Sequence, residues 1–295
     1  MWDILSCPYC HARLVEHSSG AQCVECAEQY PRAPTGVLDL RLRRPKPYTP
    51  RWTINMPLLP PGGFSFVPLR RHSSPHLDLD GLTLPRRLSR ELASYIPAPR
   101  QPGALMIDVG CGGTIHRPVF ERAGFAYVGI DYQDPNAPLL ADAQALPFSD
   151  ESFECAFSIS VLQQIPYPSA MIEEVYRVLK PGALFLGTVA FLEPFAHSFY
   201  HCTHLGTYNL LRSAGFEISH LAPATDRWTV LRAVIGNGLF PKMPRWIAET
   251  IIFPVQVLHR AWWWAGGFLN PKARYVTRLL QTTGAYQFVA SKPGG

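Results

Sequence analysis

Between residues 104 and 222, short apolar runs alternate with stretches whose apolar residues recur at helical spacing. The runs predict strands at 104–109, 126–131, 138–141, 153–159, 183–190 and 216–221, with a last strand at 286–290. The spaced patterns predict helices at 115–124, 168–179 and 203–214. Strands that alternate with helices form a parallel sheet with helices on both faces. The predicted fold class is therefore α/β, a doubly wound, mostly parallel, seven-stranded sheet.

Other regions depart from this alternation. Residues 45–61 hold six prolines, a density that excludes helix and central strand, whereas apolar residues at 84–96 have helical spacing and predict a helix before the core. About 65 residues separate the last two strands, far more than an ordinary loop. We expect four parts: a small N-terminal domain at 1–42, a Pro-rich basic linker at 43–83, the α/β domain at 84–222 and 284–295, and a helical, aromatic-rich insertion at 223–283.

A glycine-rich turn directly follows the first core strand. Asp108 lies near the end of the apolar run, and Gly110, Cys111 and Gly112 come after it. An apolar strand, a tight turn and a helix start together form a nucleotide-binding corner. Asp131 ends the next strand about 20 residues later, a spacing that suits a carboxylate bound to a ribose.

Further motifs follow in chain order. They are Ile107–Gly112, Gly129–Asp131, Ala141–Phe148, Ser152–Phe157, Glu174–Gly182 and Gly215–Phe216. With them the core resembles a class I methyltransferase that uses S-adenosylmethionine, of the type 11 kind. A dehydrogenase would share only the first two motifs. The resemblance implies the Rossmann-like methyltransferase fold and S-adenosylmethionine as cofactor.

The resemblance also implies which residues contact the cofactor: Asp108, Gly110, Cys111, Gly112, Asp131, Tyr132, Asp142, Ala143 and Ser158. Asp131 would accept hydrogen bonds from the ribose hydroxyls, and Asp142 one from the adenine amino group. The glycines would let the backbone approach the cofactor closely. The sequence departs from the family pattern at Thr114, where a third glycine is usual, and at Gln164, where relatives often have histidine.

Four cysteines form two CxxC pairs in the N-terminal domain: Cys7, Cys10, Cys23 and Cys26. Two such pairs supply four thiolates in a tetrahedron, which suits a structural Zn²⁺. A domain of this size needs the metal because it cannot build an adequate core. The pattern resembles the zinc ribbon that heads several bacterial methyltransferases, some of which act on ribosomal RNA and others on small molecules.

Composition limits the class of protein. The 295 residues carry a net charge of +5, and residues 41–100 hold 11 basic and 3 acidic residues. That segment is either a solvated linker or a phosphate-binding surface. The N-terminus has no basic, apolar leader pattern, and no run reaches about 18 clean apolar residues. Together with the cysteine pairs, this predicts a cytoplasmic, reducing compartment.

A cluster of candidate catalytic groups follows the fifth strand of the sheet. It consists of Glu193, His197, His201 and His204. A histidine at this carboxyl edge could deprotonate an acceptor at neutral pH. The same spacing is also compatible with a metal site or with a structural role.

The insertion is rich in tryptophan, with a large apolar face at 245–253 and 255–264 that Pro254 is expected to break. Core packing, a lid over the acceptor, a homodimer face and peripheral membrane contact through 245–270 all remain open.

Two methyl acceptors fit these features. A small molecule, such as a natural product, sugar or lipid, is favoured by the aromatic insertion and the histidines. The alternative is ribosomal or transfer RNA, held by the zinc ribbon and the basic segment. A third hypothesis is a scaffold that binds the cofactor without catalysing transfer.

Overall fold

The computed structural model describes residues 2–50, 76–85, 87–192, 198–224, 238–269 and 283–294. Within them the chain forms a three-stranded and a seven-stranded sheet. The small sheet is antiparallel and consists of β1 (Leu14–His17), β2 (Gly20–Cys23) and β3 (Gln29–Pro31). We call residues 2–42, which contain it, the N-terminal module.

The large sheet confirms the predicted α/β architecture. Its strands are β4 (Leu105–Val109), β5 (Ala126–Asp131), β6 (Leu139–Leu140), β7 (Phe153–Ile159), β8 (Leu179–Ala190), β9 (Glu217–Pro223) and β10 (Ala285–Ser291). Their spatial order is β6–β5–β4–β7–β8–β10–β9. β10 runs antiparallel to both of its neighbours, β8 and β9, and the other strand pairs of this sheet are parallel. The order reverses beside β4, so its carboxyl end lies at the switch point where such sheets bind ligands.

The three helices predicted within the core, at 115–124, 168–179 and 203–214, are present. In the described part of the chain the α-helices are α1 (Arg90–Ala93), α2 (Arg117–Arg122), α3 (Pro168–Val178), α4 (His204–Ser213) and α5 (Arg245–Leu269). Helix α3 buries one face against the sheet through Met171, Ile172 and Val175. Among the residues described, no helix is both long and apolar enough to cross a membrane.

The helix predicted at 84–96 is mostly wrong. Of the residues in this segment that the structure describes, only the four of α1 are helical. Arg87 has left-handed backbone (φ 71°), which a continuous helix excludes. Ser89 then starts the single turn by accepting a hydrogen bond from the Leu92 N–H at 2.9 Å. The apolar spacing in this segment therefore reflects burial rather than helix.

The break expected at Pro254 is also wrong, because α5 runs through it as one helix. A proline removes one helical hydrogen bond and crowds the carbonyl four residues earlier. Pro254 and Thr250 are both exposed here, so the carbonyl without a helical partner is accessible to water.

The N-terminal module is joined to the edge of the large sheet. The Leu40 N–H donates to the Leu140 carbonyl at 2.7 Å, and the Leu140 N–H donates to the Leu38 carbonyl at 3.1 Å. Residues 38–40 therefore extend the sheet beyond β6. Side chains of the module, including Leu5 and Tyr30, belong to the same hydrophobic cluster as Phe148. The module and the core thus share one apolar interior.

A second contact joins the module to the loop that follows β6. The Ser6 N–H donates to the Pro147 carbonyl at 3.0 Å, and the Ser149 N–H donates to the Ile4 carbonyl at 2.8 Å. Arg177 holds this loop from inside the core, through hydrogen bonds to the carbonyls of Leu146 and Phe148 and an ion pair with Glu174. The loop at 146–149, on which the module docks, is therefore hydrogen-bonded to the core.

Candidate functional site

The glycine turn (residues 110–114) links β4 to α2 and adopts left-handed backbone at three positions. Gly110 has φ 78° and Gly112 has φ 50°. A Cβ at Gly110 would overlap Val161, so this glycine is needed for packing. At Gly112 a Cβ would meet only Asp134 Oδ2, at 3.9 Å. The backbone at Gly112 therefore has open space beside it.

Thr114 takes the place of the usual third glycine without changing the backbone shape. Its φ is 60°, a conformation that glycine adopts freely and that strains a β-branched residue. Its N–H donates to the Cys111 carbonyl at 3.0 Å, which closes the turn. The departure from the family pattern thus adds local strain but preserves the turn.

Asp131 connects the glycine turn to the loop after β5. Its Oδ2 accepts a hydrogen bond from the Gly112 N–H at 3.0 Å. Its Oδ1 accepts from the N–H groups of Gln133 at 2.8 Å and Asp134 at 2.9 Å. A carboxylate has about four acceptor sites, so these bonds orient the group and leave capacity for a ribose hydroxyl.

Asp142 lies in the loop that begins after β6. Both the N–H and the side-chain amide of Gln144 donate to its Oδ1, at 2.9 and 3.0 Å. Among the contacts of the described residues, Oδ2 is left available to a ligand. Ala141 donates to the Asp131 carbonyl at 3.0 Å, which places the loops of the two carboxylates side by side. Ala143 is buried next to them.

Asp108 is fully buried beneath the turn. Its Oδ2 accepts a hydrogen bond from the Tyr127 hydroxyl at 2.7 Å and lies 3.5 Å from Nδ1 of His116. Its Oδ1 and both ring nitrogens of His116 have no hydrogen-bond partner in the described part of the chain. Burial, and then the charge of Asp108, raise the pKa of Tyr127 far above its usual range, so its hydroxyl remains a donor. No sequence motif indicates a role for Tyr127 or His116.

Ser158 and Tyr132 occupy different environments. Ser158 is buried, and its hydroxyl donates to the Val109 carbonyl at 3.0 Å, which ties the ends of β7 and β4 together. Tyr132 is half exposed beside Asp131. The structure therefore gives Ser158 a structural bond and leaves the Tyr132 ring accessible.

The histidine segment (residues 198–204) covers the loop after β7. The N–H groups of Phe199 and Tyr200 donate to the Gln163 carbonyl at 2.8 and 3.2 Å. Gln163 is buried, and its side chain binds the Ser160 carbonyl and the Ala190 N–H. The segment is therefore held at the carboxyl ends of β7 and β8, close to the end of β4.

Two of the four candidate catalytic groups are described, whereas Glu193 and His197 lie outside the described residues. Nδ1 of His201 is 2.7 Å from the Phe191 carbonyl, so it donates there and Nε2 of the neutral ring is an acceptor. His204 is the first residue of α4, and its ring lies 5.6 Å from that of Tyr286. Burial lowers the pKa of His204, which favours its neutral form.

Arg41 of the N-terminal module reaches the loop after β5. Its guanidinium forms two hydrogen bonds of 2.8 Å with Asp39 and donates to the Tyr132 carbonyl at 3.1 Å. It also lies 5.6 Å from the centre of the Tyr132 ring. The module thus contacts the residue next to Asp131, a contact between residues 91 positions apart that the sequence did not reveal.

The four cysteines converge, with sulfurs that all lie within 4.8 Å of one another. Cys7 and Cys26 sulfurs are 3.6 Å apart, and those of Cys10 and Cys23 are 3.4 Å apart. Tetrahedral Zn²⁺ with bonds of about 2.3 Å needs sulfurs about 3.8 Å apart, so the set fits that ion. The Tyr30 hydroxyl lies 3.1 Å from the Cys7 sulfur, where it can support a thiolate.

Comparison with known proteins identifies the kind of enzyme. A family model described as a methyltransferase domain matches residues 107–187. An uncharacterized methyltransferase of Mycobacterium tuberculosis is 28% identical over 182 residues, which cover 55% of this chain and 69% of the relative. This chain is an S-adenosylmethionine-dependent methyltransferase. Its glycine turn and Asp131 both lie within the matched residues.

Two further similarities are more limited. The sterol methyltransferase-like protein 1 of Botryococcus braunii is 38% identical to this chain over 103 residues, which cover 29% of this chain and 26% of that protein. A solved complex of the Haloferax volcanii Trm112 methyltransferase activator with a putative methyltransferase has a TM-score of 0.46 and 20% identity, and covers 68% of this chain and 87% of that one.

Proposed function

We propose that this methyltransferase acts on a small molecule, such as a natural product, a sugar or a lipid-like compound. The observation that carries the proposal is the state of the basic N-terminal segment. An RNA-binding surface needs cations that are free to contact phosphates. The described cations of that segment instead have partners within the chain, among them Arg41, Arg43, Arg44, Lys46, Arg90 and Arg100.

The cofactor would bind at the carboxyl ends of β4 and β5. Open backbone at Gly112 and spare acceptor capacity on Asp131 and Asp142 suit a nucleoside. S-adenosylmethionine supplies a methyl group already activated on a sulfonium. Asp131 would hold the ribose and Asp142 the adenine, and a Zn²⁺ on the four cysteines would stabilise the N-terminal module.

The chain's own residues would then align the acceptor and take up its proton. An acceptor oxygen or nitrogen would have to be aligned with the activated methyl group that the bound cofactor would supply. The proton of the acceptor passes to Nε2 of His201 or to His204. His201 is oriented by the Phe191 carbonyl, and His204 is kept neutral by burial.

Transfer of labelled methyl groups tests the acceptor class. The full-length protein is incubated with methyl-labelled cofactor and fractionated extract of the source cells. We expect label in a small-molecule or lipid fraction, no transfer with Asp131→Asn, and unchanged transfer with the exposed control Asp3→Asn. Label that appears in RNA would establish the alternative acceptor.

The pH dependence of the rate tests the base. Because burial lowers the pKa of His204 below 6.5, its neutral form persists at lower pH than that of an ordinary histidine. If it accepts the proton, the rate falls only as the pH drops below 6.5, and His204→Gln abolishes that decline together with most of the rate. An unchanged profile in His204→Gln assigns the proton to another group, and His201→Gln is then compared.

A further inference from the structure

Helix α5 turns a face of large apolar side chains away from the protein. Ala248 and Ile252 are buried on the opposite side of the helix. The exposed side chains include those of Trp246 (72% exposed), Ile251, Phe253, Val255, Val257, Leu258 (70%) and Trp262 (70%). Contiguous apolar surface of this kind is uncommon on a protein that meets only water.

The charged residues of α5 occupy helix positions outside this face. At about 100° per residue, the exposed apolar residues from Trp246 to Trp262 cover an arc of roughly 200°. Every residue at a helix position inside that arc is uncharged, and its one polar side chain, Thr250, donates to the Trp246 carbonyl at 2.7 Å. Arg245, Glu249 and Arg260 all fall at positions outside the arc. From Trp246 to Trp262 the outward face is therefore apolar.

We propose that α5 docks the protein on an anionic lipid surface, with this face in the headgroup region of the bilayer. Trp246 and Trp262 lie near the two ends of the face, about 24 Å apart along the axis. Tryptophan favours this depth because one part of its ring is apolar and the other polar. Residues 238–269 also carry three basic residues and one acidic residue, which complements anionic lipid.

The width of the face argues for lipid over a second copy of this chain. A helix packed against a protein partner covers a stripe of about 100°. A partner helix would leave much of the 200° arc in contact with water, whereas lipid adapts to the whole arc. A second copy would also present the same excess of positive charge. The proposal concerns this surface alone and holds whichever acceptor the methyltransferase uses.

Flotation with vesicles tests the proposal on the full-length protein. We expect binding to phosphatidylcholine vesicles that contain about a third phosphatidylglycerol, and weaker binding to pure phosphatidylcholine. The double variant Leu258→Glu/Trp262→Glu should bind about a hundredfold more weakly, because two large side chains no longer enter the lipid. The matched control is Val15→Glu, an exposed apolar residue of β1 that should leave binding unchanged.

Three outcomes would overturn the proposal. They are absence of wild-type binding to anionic vesicles, equal binding of the double variant, and a concentration-dependent dimer in light scattering that the double variant abolishes. The dimer would assign the face to a second copy. Thermal unfolding shows whether the double variant is folded, and Trp246→Ser, which adds no charge, replaces it if it is not. Vesicle binding needs no methyl acceptor, so failure here is separate from failure of the proposed function.

Discussion

The N-terminal module and helix α5 are both additions to the same α/β core, and they are attached in opposite ways. The module shares backbone hydrogen bonds with β6 and a hydrophobic cluster with the core, and through Arg41 it contacts the loop beside Asp131. Helix α5 buries Ala248 and Ile252 and leaves its large apolar side chains exposed. One addition completes the interior of the protein, whereas the other offers a surface to something outside it.

The comparison predicts that loss of a cysteine ligand in the N-terminal module lowers stability more than any other change considered below. Cys23→Ser should lower Tm by about 10 °C or more, because the free energy of metal binding is folding free energy in a domain this small. It should also weaken binding of S-adenosylhomocysteine, since residues 38–40 support Leu140 beside Asp142. Mass spectrometry for bound zinc, thermal unfolding and calorimetry measure these effects.

Cys202→Ser is the matched control for that variant. Cys202 is half-buried and lies outside the cysteine cluster, and burial raises the pKa of its thiol to about 11. It should keep the full metal content and Tm. A wild-type protein that holds no metal after expression in zinc-supplemented medium would contradict the prediction.

Removal of the partly buried ion pair between Arg177 and Glu174 should have the next largest effect on stability. Arg177→Met leaves the partly buried Glu174 carboxylate without this partner and frees the loop at 146–149, which should cost about 1–3 kcal/mol. Urea unfolding measures the change. Arg117→Met breaks an exposed pair with Glu121 and should cost less than about 1 kcal/mol. Similar losses in both variants would mean that Arg177 does not hold the docking surface.

A smaller effect, on binding of S-adenosylhomocysteine, is expected where Arg41 of the module contacts the loop after β5. Arg41→Met removes the hydrogen bond to the Tyr132 carbonyl and should weaken S-adenosylhomocysteine binding by about threefold to tenfold. Arg32→Met, which breaks the pair with Glu16 elsewhere in the module, should leave binding unchanged. Calorimetry on both variants decides whether the module influences the site through this contact or only through overall stability.

The smallest effect on stability is expected at the outward face of α5. Leu258→Glu should change the free energy of unfolding by no more than about 0.5 kcal/mol, since the side chain is exposed. Ile252→Glu places a charge on the buried side of the same helix and should cost several times as much. Equal losses would show that the outward face is packed against the protein after all.

The core elements could be predicted from the sequence because their signal is local. Apolar spacing reports which residues face the sheet, so β7 was predicted with its observed bounds and α3 ends within one residue of its prediction. The same signal failed at 84–96, where Arg87 adopts left-handed backbone and burial without helix gives an identical pattern. It failed again at Pro254, which the exposed surface of α5 tolerates.

The site was predictable in part for a related reason. Gly112, Asp131 and Asp142 lie in short loops next to strands, so local order along the chain indicates them. The partners of Asp108 could not be found this way, because Tyr127 and His116 approach it only when β5 and α2 pack around β4. Arg41 depends on a contact across the whole domain, and no pattern in the sequence reports such a contact.

The pairing of residues 38–40 with Leu140 has a consequence for how the protein avoids aggregation. An uncovered edge strand offers free N–H and C=O groups to strands of other molecules. Here the chain covers that edge with its own N-terminal residues. A shortened protein that begins at residue 43 would expose both the strand edge and the apolar surface around Phe148, and its molecules would be prone to join edge to edge.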